Sequence, residues 1–388
     1  MFKIKTLNNI SPLVLEQLPG AQFEVASEIE QPDAILLRSF DMHSLVFPAT
    51  LKAVSRAGVG YNNIPVDKCT EAGVVVFNTP GANANSVKEL VIAGMLLSSR
   101  GIIDGINWSR ALRDENVAEA VETGKKQFVG PEIAGKKLGV VGLGAVGVLV
   151  ANDATSLGMH VSGYDPFISI ESAWGLSREV RRASHLGELL GEADYITLHL
   201  PLNEKTTDFF DRDKLYQMKR GVRILNFARG GLVNNDDLVA AMDKGIVEKY
   251  VTDFPDNHLI KHKNVIPVPH LGASTPEAED NCAIMAANQL VEFLTTGNVR
   301  NSINFPSCEM ALSGDARIVI ANKNIPNMVG QITTILAEES INISDMLNRH
   351  RGDHAYNIID IEGTASQETI KKLKAIEGVI MARLVEYS

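Results

Sequence analysis

The chain has 388 residues, of which 45% are hydrophobic and 22% charged, and its formal net charge at pH 7 is −10. This length predicts two or three domains, and this composition is typical of a globular protein with buried cores. The acidic excess argues against binding to nucleic acid or to an anionic membrane, and no apolar run approaches the roughly 20 residues that span a bilayer.

The first region, residues 1–97, alternates between strand-like and helical runs. The segments DAILLRS (33–39) and GVVVFNT (73–79) predict strands, and the apolar pattern over 86–97 predicts a long helix that leaves this lobe. A second long helix is predicted much further along the chain. We expect it to cross back, so that residues 276–300 complete the first lobe.

The segment VVGLGAVG carries three glycines, Gly142, Gly144 and Gly147, between a strand-like run and a helix-length stretch. The first permits a tight turn, the second lets the backbone approach a pyrophosphate, and the third lets the helix pack on the strand. The helix N-terminus adds free N–H groups. Asp165 lies 18 residues after Gly147, where its carboxylate can accept hydrogen bonds from ribose hydroxyls and would repel a 2′-phosphate. The sequence therefore predicts an NAD site.

Residues 137–270 alternate regularly between strand-like and helical segments. This alternation predicts a mostly parallel, doubly wound sheet, whose ligands sit outside the C-terminal ends of the strands. Arg229, Asp253 and His270 all fall at or just past such ends. The predicted strands are LGVVG, HVSGYD, YITLHL (195–200), VRILNFA (222–228), KYVTDF (249–254) and NVIPVPH (264–270).

The C-terminal part of the chain begins with a polar segment, 301–316, which predicts a linker. Residues 317–388 follow with the order strand, helix, strand, strand, helix, strand, which is ferredoxin-like. A unit of about 70 residues is small for an independent domain. We therefore expect it to pair with another copy, in a homo-oligomer that is a dimer or a tetramer.

The three cysteines, Cys69, Cys282 and Cys308, are odd in number and widely spaced. They form no metal-ligand pattern, and the N-terminal segment MFKIKTLNNISP lacks the apolar stretch of a signal peptide. We therefore expect reduced thiols, no metal site, and a cytoplasmic protein whose partners are small molecules.

Three further segments carry a family resemblance: NFARGG (226–231), VTDFP (251–255) and VPHLGAST (268–275). With the glycine loop, they resemble the D-isomer-specific 2-hydroxyacid dehydrogenases over nearly the whole chain. The resemblance implies an α/β protein with three parts. These are a doubly wound parallel-sheet (Rossmann) NAD domain over 98–275, a discontinuous flavodoxin-like substrate domain, and a C-terminal ferredoxin-like βαββαβ domain of the ACT type.

Within the family, the resemblance is to members that carry an ACT domain and oxidise 3-phospho-D-glycerate to 3-phosphohydroxypyruvate with NAD, the first step of L-serine biosynthesis. This oxidation needs a base for the hydroxyl proton and a cation for the carboxylate. His270 is the candidate acid and base because imidazole titrates near neutral pH. Arg229 is the candidate carboxylate ligand because a guanidinium offers paired donors and keeps its charge.

The family normally pairs this histidine with a glutamate, expected two residues beyond the proline of the VTDFP segment. Here that position is Asn257, preceded by Asp256. Three alternatives stay open: Asp256 serves through a shifted backbone, the loop alignment is off by one residue, or the histidine has no charged partner. We take Asp256 as the candidate, and the resemblance gives Asp253 the separate role of holding the nicotinamide carboxamide.

The resemblance also implies contacts to the cofactor and the substrate. The cofactor contacts are Ala145 and Val146 on the pyrophosphate loop, Pro201 and Thr207 on the adenosine side, Ala228 on the nicotinamide side, and Gly272 and Ala273 after the histidine. Arg38 and Arg56 match positions that bind phosphoglycerate, and Asn62 and Asn83 would approach the substrate.

The C-terminal domain resembles the amino-acid-sensing domain of serine-inhibited relatives, in which the ligand sits between paired domains. The matching residues are Asn322, Asn324 and Asn342, so L-serine is the expected effector. The alternative is that this domain only holds subunits together. Two alternatives to the activity also stay open: a dehydrogenase for another D-2-hydroxy acid, and an NAD-sensing protein without catalysis.

Overall fold

The structure is a computed structural model of the chain and describes residues 1–8, 10–113 and 116–386. The predicted end of the C-terminal domain, residues 387 and 388, lies outside the described residues. No helix within the described part is long and apolar enough to cross a membrane.

The secondary structure alternates between strands and helices over most of the chain. In chain order the strands are β1 (Phe2–Leu7), β2 (Phe23–Ala26), β3 (Ala34–Leu37), β4 (Ala53–Arg56), β5 (Val75–Phe77), β6 (Lys137–Val141), β7 (His160–Tyr164), β8 (Arg181–Arg182), β9 (Tyr195–Leu198), β10 (Val222–Asn226), β11 (Val247–Thr252), β12 (Val265–Pro267), β13 (Ala316–Lys323), β14 (Ile343–Arg351), β15 (His354–Ile361) and β16 (Val379–Glu386). The α-helices are α1 (Val14–Gln17), α2 (Val66–Glu71), α3 (Ala84–Ser99), α4 (Ile102–Ala111), α5 (Val117–Gly124), α6 (Ala145–Ser156), α7 (Ile170–Gly175), α8 (Leu186–Glu192), α9 (Arg212–Tyr216), α10 (Asn235–Asp243), α11 (Pro276–Thr296), α12 (Met328–Glu338) and α13 (Gln367–Lys374).

The chain folds into two compact units. One comprises Met1–Ala82 and Glu279–Ser388, and the other comprises Asn83–Ala278. The first boundary thus precedes α3, whereas the sequence placed it after residue 97. The reason is that α3 packs on α6 and β10, so its apolar side joins the core of the second unit.

In the first unit, the described residues form a five-stranded parallel sheet in the order β2-β1-β3-β4-β5. This is the flavodoxin-like strand order that was predicted. All four residues of β3 are buried, as expected for a central parallel strand covered on both faces. α11, all but its first turn in this unit, contributes Ala287, Leu290 and Phe293 to the same core and completes the lobe.

In the second unit, the described residues form a seven-stranded parallel sheet in the order β12-β11-β10-β9-β6-β7-β8. This confirms the doubly wound Rossmann arrangement, in which the chain direction across the sheet reverses between β6 and β9. Ligands of such sheets bind outside the C-terminal strand ends at that reversal. The glycine loop follows β6, and the segments that contain Arg229, Asp253 and His270 follow β10, β11 and β12.

The C-terminal residues of the first unit form a four-stranded antiparallel sheet in the order β14-β15-β13-β16, within the part that the structure describes. This is the predicted ferredoxin-like order. α12 and α13 cover one face with apolar residues such as Ile332 and Leu373. The other face, through Tyr356 and Val385, shares a core with Phe293 of α11.

The segment predicted as a linker, 301–316, is packed rather than open. Phe305 and Cys308 are at most 1% exposed. The backbone N–H of Ile303 donates to the carbonyl of Val76, N···O 2.8 Å. The C-terminal domain and the flavodoxin-like lobe are therefore joined by a continuous core as well as by the chain.

Candidate active site

The glycine loop has the geometry that a dinucleotide requires. Gly142 has a φ of 93°, and a Cβ there would lie 2.5 Å from the carbonyl oxygen of His199. A Cβ on Gly147 would lie 2.0 Å from the carbonyl oxygen of Gly142, so only glycine lets α6 start this close to the loop. A Cβ on Gly144 would meet no atom within 4 Å. The space next to Gly144, at the N-terminus of α6, is thus free for a pyrophosphate.

Asp165 directly follows β7, as the sequence predicted. Its Oδ2 accepts a hydrogen bond from the backbone N–H of Leu143 at 2.8 Å, and its Oδ1 accepts one from that of Phe167 at 2.8 Å. These bonds fix the carboxylate beside the glycine loop. A carboxylate oxygen has lone pairs for a second donor, so Asp165 can still accept from ribose hydroxyls.

The other residues assigned to the cofactor lie around this loop. Ala145 is exposed and Val146 half-buried in the first turn of α6. The carbonyl of Pro201 accepts a hydrogen bond from the Thr206 hydroxyl at 2.6 Å, and the Thr207 hydroxyl donates to the carbonyl of Asn203 at 2.9 Å. Pro201 and Thr207 therefore belong to one internally bonded turn after β9, and their contact with adenosine stays a prediction.

Arg229 is held by Asn226, a residue that sequence reasoning missed. The Asn226 side chain donates to the carbonyl of Arg229 at 2.9 Å and to the Tyr250 hydroxyl at 3.1 Å. Its Oδ1 accepts from the backbone N–H of Ala228 at 3.2 Å. Since Asn226 is 1% exposed, these bonds fix the backbone that presents the guanidinium. The only sequence signal was its place at the start of the NFARGG segment.

His270 lies three residues beyond the end of β12 and is exposed. Its ring packs on Phe254, with ring centroids 4.6 Å apart and an interplanar angle of 55°. The loop that follows is anchored by Ser86 of α3, whose hydroxyl donates to the carbonyl of Gly272 at 2.7 Å. Gly272 is buried and Ala273 half-buried. The packing on Phe254 and the hydrogen bond from Ser86 to Gly272 therefore hold the loop that carries the imidazole.

Asp253 directly follows β11 and is 3% exposed. Among the described residues, neither of its carboxylate oxygens has a hydrogen-bond partner. Burial raises the pKa of this carboxyl, and the charge of His270, the nearby backbone N–H groups of Asp253 and Gly272, and the charge of Arg229 act in the opposite direction. The carboxyl therefore lies within electrostatic reach of both predicted catalytic residues.

Asp256 is not placed as the partner of His270. Its Oδ1 accepts from the backbone N–H groups of His258 at 2.9 Å and Leu259 at 2.7 Å, and its Oδ2 accepts from Asn235 Nδ2 at 2.7 Å. These bonds lower the pKa of Asp256, the bond from Leu259 most of all. Within the described residues, Asp256 makes no hydrogen bond or ion pair with His270. In this structure the Asp256 side chain instead caps the short turn that follows it, and its pairing with His270 stays a prediction.

In the flavodoxin-like lobe, two arginines predicted to bind phosphate are linked by one asparagine. The Oδ1 of Asn63 accepts from Arg56 Nε at 3.1 Å, and its Nδ2 donates to the carbonyl of Arg38 at 3.3 Å. A Cβ on Gly58, which has a φ of 153°, would lie 2.4 Å from Arg56 Nη1. The guanidinium therefore lies over the backbone of Gly58. The predicted Asn62 is exposed beside this cluster, and the sequence could not tell which of two adjacent asparagines holds the arginines.

The charges of the two arginines are balanced unequally. Arg38 Nη2 lies 2.7 Å from Glu279 Oε1 of α11, a contact that sequence reasoning missed. Arg56 has no ion pair in the described part of the chain. Burial lowers the pKa of Arg56, and the nearby charge of Arg38 adds to the effect. Arg56 is therefore the cation that gains most from an incoming anion.

Of the remaining predicted positions, Asn83 has a structural role in this structure. Asn83 precedes α3, and its carbonyl accepts from the Ser86 hydroxyl at 3.0 Å and the Val87 N–H at 3.2 Å. Its side chain makes no capping hydrogen bond. Among the residues that the structure describes, no three His, Cys, Asp or Glu side chains form a group that could hold a metal ion.

The three asparagines assigned to an effector are not brought together in one chain. Asn322 is 1% exposed, and its Oδ1 accepts from Asn357 Nδ2 at 2.7 Å. Asn324 is exposed at the same end of the sheet, with its Nδ2 bonded to the carbonyl of Gly352. Asn342 lies at the opposite end, about 27 Å away along the strands at about 3.4 Å per residue. A ligand that meets both exposed asparagines would have to lie between two copies.

The fold and this site are those of an α/β protein that binds a dinucleotide. Residues 92–272 match the family described as D-isomer specific 2-hydroxyacid dehydrogenase, NAD binding domain. The D-3-phosphoglycerate dehydrogenase of Escherichia coli (strain K12) is 30% identical over 348 residues, which cover 86% of this chain and 82% of that protein. The chain belongs to the D-isomer-specific 2-hydroxyacid dehydrogenase family and carries its NAD-binding domain.

Other relatives are longer than this chain. The D-3-phosphoglycerate dehydrogenases of Archaeoglobus fulgidus and Methanocaldococcus jannaschii are 34% and 33% identical over 80% and 84% of this chain. The aligned part spans only 58% and 61% of their lengths. Among solved structures, the NAD+-bound 3-phosphoglycerate dehydrogenase of Entamoeba histolytica is 27% identical with a TM-score of 0.59. It covers 78% of this chain and 98% of that one.

Proposed function

We propose that this chain is an NAD-dependent D-3-phosphoglycerate dehydrogenase that oxidises 3-phospho-D-glycerate to 3-phosphohydroxypyruvate, the first step of L-serine biosynthesis, in the cytoplasm. The observation that carries the proposal is the pair Arg38 and Arg56, which Asn63 links in the lobe that lies outside the NAD domain. Two guanidinium groups suit a phosphate, which a simple 2-hydroxy acid lacks. The relatives named D-3-phosphoglycerate dehydrogenase support the same substrate.

In the proposed reaction, NAD bound beside the glycine loop and Asp165 would supply the acceptor for the hydride that leaves C2 of the substrate. His270 takes the proton of the C2 hydroxyl, since its exposed ring is held by Phe254 and by the anchored loop that follows. Arg229 holds the substrate carboxylate, and Asn226 keeps its backbone in place. Asp253 is proposed to accept a hydrogen bond from the nicotinamide carboxamide, for which its two oxygens have no competing partner among the described residues.

A dehydrogenase for another D-2-hydroxy acid is the second candidate function, and one observation favours it. Glu279 neutralises Arg38 in the substrate lobe, which leaves Arg56 as the cation without a carboxylate partner in the described residues. A substrate that lacks a phosphate would need no second unpaired arginine in this lobe. A protein that binds NAD without catalysis is the third candidate, favoured by the exposed Asn257 in place of the family's glutamate.

The test is NADH oxidation by the purified protein with 3-phosphohydroxypyruvate, beside 2-oxo acids that lack the phosphate. Turnover that is fastest with 3-phosphohydroxypyruvate and lost in Arg56→Glu supports the proposal. Fast turnover of an unphosphorylated acid, unaffected by Arg56→Glu, selects the second candidate. NAD binding without turnover of any acid selects the third.

The C-terminal domain is proposed to be an ACT domain that binds L-serine in a homo-oligomer, a dimer or a tetramer. The support is the ferredoxin-like strand order and the exposure of Asn324 and Asn342. Asn322 is committed to Asn357 and would not reach a ligand without breaking that buried bond. Inhibition by L-serine that Asn342→Ala removes would support an effector site. Serine-independent turnover of an oligomer would reduce the domain to an assembly role.

A further inference from the structure

Asn63 connects the ends of two neighbouring strands in the flavodoxin-like lobe. Its Oδ1 accepts a hydrogen bond from Arg56 Nε at 3.1 Å. Its Nδ2 donates to the backbone carbonyls of Arg38 at 3.3 Å and Phe40 at 2.8 Å. Arg56 is the last residue of β4, and Arg38 directly follows β3. Both arginines therefore lie at the C-terminal edge of the parallel sheet, where ligands of such sheets bind.

The amide of Asn63 suits this position because it carries both an acceptor and donors. A guanidinium is a donor only and needs an acceptor, whereas the two carbonyls need N–H donors. An aspartate at position 63 would have no donor for the carbonyls, and an alanine would bond to neither side. These hydrogen bonds also fix which end of the amide is the oxygen, so the orientation of Asn63 follows from its neighbours.

The acceptor for Arg56 is neutral, whereas the acceptor for Arg38 is charged. Arg38 Nη2 lies 2.7 Å from Glu279 Oε1. Asn63 holds Arg56 without compensating its charge, and Arg56 has no ion pair in the described part of the chain. Cys282, whose charge would also act on Arg56, stays a neutral thiol because burial raises its pKa. The cluster therefore keeps one uncompensated positive charge, and it is located on Arg56.

The Arg56 guanidinium is confined on a second side by glycine backbone. A Cβ on Gly58 would lie 2.4 Å from Arg56 Nη1, and one on Gly60 would lie 3.8 Å from the same atom. The N–H of Gly58 is already used, since it donates to Thr79 Oγ1 at 2.8 Å. Arg56 makes no other side-chain hydrogen bond among the described residues than the one to Asn63. Its Nη groups are therefore held in place and remain for a ligand.

We infer that Asn63 is a positioning residue that makes the substrate site selective for a phosphorylated acid, because it orients Arg56 through a neutral oxygen and leaves the positive charge to the substrate phosphate. This inference rests on the proposed function. A guanidinium that is fixed in one orientation can give a phosphate two parallel charge-assisted hydrogen bonds. A carboxylate in the place of Asn63 would instead form an ion pair with Arg56 and compete with the phosphate.

The experiment compares 3-phosphohydroxypyruvate with hydroxypyruvate, the same acid without its phosphate, as substrates for NADH oxidation. Asn63→Ala removes the acceptor, and Asn63→Asp replaces it with a charged one. We expect KM for the phosphorylated acid to rise about three- to tenfold in Asn63→Ala and about tenfold or more in Asn63→Asp. We expect kcat with this acid, and both constants with hydroxypyruvate, to stay near the wild-type values.

Asn281→Asp is the matched control for the added charge. Asn281 is exposed on α11, two residues after Glu279, and residues at this spacing do not share a helix face. We expect it to keep the wild-type KM for both acids. A thermal melt confirms that each variant is folded. Asn63→Ser, which keeps one short acceptor and donor, replaces the other two variants if they unfold, and we expect a smaller rise in the same KM.

Three results would overturn the inference. Equal rises in KM for the two acids would show that Asn63 only supports the loop. An unchanged KM for the phosphorylated acid in Asn63→Asp would show that Asn63 does not control the charge that binds the phosphate. Equal rises in Asn63→Asp and Asn281→Asp would reduce the effect to the net charge of the lobe.

The two proposals fail in distinguishable ways. A wild-type protein that does not prefer the phosphorylated acid overturns the proposed function, whereas a preference that persists in the Asn63 variants overturns this inference alone. If no acid is turned over, binding of 3-phosphoglycerate is measured by calorimetry. Wild-type binding that Asn63→Asp weakens would keep the role of Asn63 and reject the reaction. No binding to the wild type would overturn both.

Discussion

Arg317 of β13 and Asp360 of β15 form an ion pair with both side chains fully buried, with Arg317 Nη2 2.9 Å from Asp360 Oδ2. The same guanidinium donates to the carbonyl of Thr296 at 3.0 Å and to Asn298 Oδ1 at 3.1 Å. Thr296 is the last residue of α11, whose final carbonyls lack partners within the helix. One side chain of the C-terminal domain thus completes the end of the helix that closes the substrate lobe.

Removing this guanidinium should destabilise the first unit strongly. Arg317→Met leaves Asp360 buried without its cation, which costs about 3–5 kcal/mol. The measurement is urea unfolding at pH 7. The matched control is Arg300→Met, because Arg300 pairs with Glu309 at the surface, where 61% of the arginine side chain is exposed, and such pairs contribute less than about 1 kcal/mol. An equal loss of unfolding free energy in the two variants would show that burial does not strengthen the Arg317–Asp360 pair.

The pairing of Arg38 with Glu279 should limit affinity for a phosphorylated substrate. In Glu279→Gln, Arg38 keeps a hydrogen-bond partner but loses the opposing charge. We expect KM for 3-phosphohydroxypyruvate to fall about two- to fivefold, as suits an exposed ion pair, with kcat unchanged. Glu277→Gln, an exposed position in the same helix, is the control. An equal KM in both variants and the wild type would contradict the prediction.

Replacing either Gly144 or Gly147 at the start of α6 by alanine should impair the protein. The first replacement should weaken NAD binding, and the second should lower stability. At Gly144 the methyl group enters free space, so stability should change by less than about 0.5 kcal/mol while NAD affinity falls about tenfold or more. At Gly147 the methyl group meets the carbonyl oxygen of Gly142, which should cost about 1–3 kcal/mol. Thermal melts and NADH titrations separate the two effects. A Gly144→Ala protein with wild-type NAD affinity would refute the assignment of the pyrophosphate.

His199 should make the protein sensitive to mild acid. Burial lowers the pKa of this histidine to about 3, and its Nε2 lies 3.0 Å from the Thr197 hydroxyl. An unfolded histidine titrates near about 6.5. Between these values the unfolded chain binds a proton that the folded chain refuses, so stability is full above pH 6.5 and falls as the pH is lowered towards 3. The loss is up to about 1.4 kcal/mol per pH unit.

The measurement is urea unfolding at pH 7, 6 and 5 for the wild type and His199→Gln. We expect the free energy of unfolding to fall less steeply with decreasing pH in His199→Gln than in the wild type, because the contribution of His199 is removed. His160→Gln serves as the control, because His160 is exposed on β7. A slope that persists unchanged in His199→Gln would assign the acid sensitivity to other groups.

The sequence predicted the features that depend on neighbours along the chain. The glycine loop, most strands of the second sheet and the strand ends that carry Arg229, Asp253 and His270 are local patterns, and the structure confirms their places, whereas β1, β2 and β8 were not predicted. The strand order was also foreseeable, because parallel strands joined by helices allow few topologies.

The contacts between distant segments could not be predicted from one sequence. Asn226, Asn63 and Glu279 look like ordinary polar residues until folding brings them to the arginines that they hold. Asp256 was predicted to be the partner of His270 from its place in a sequence motif. Where its side chain lies in space depends on the hydrogen bonds that it accepts from Asn235 and from the backbone of Leu259. The segment 301–316 was predicted to be a linker because its residues are mostly polar, but several of them are buried, Phe305 and Cys308 almost completely.

The sequence by itself therefore determined the family and the cofactor loop. It also provided the candidate acid–base residue, His270, and the candidate anion-binding arginines. Tertiary structure decided which groups are buried and which charges are paired: among the described residues Arg38 has an ion pair with Glu279, whereas Arg56 has none. The physical reason is that backbone geometry follows from local residue patterns, whereas burial and electrostatic pairing depend on atoms that are far apart along the chain and meet only in the folded state.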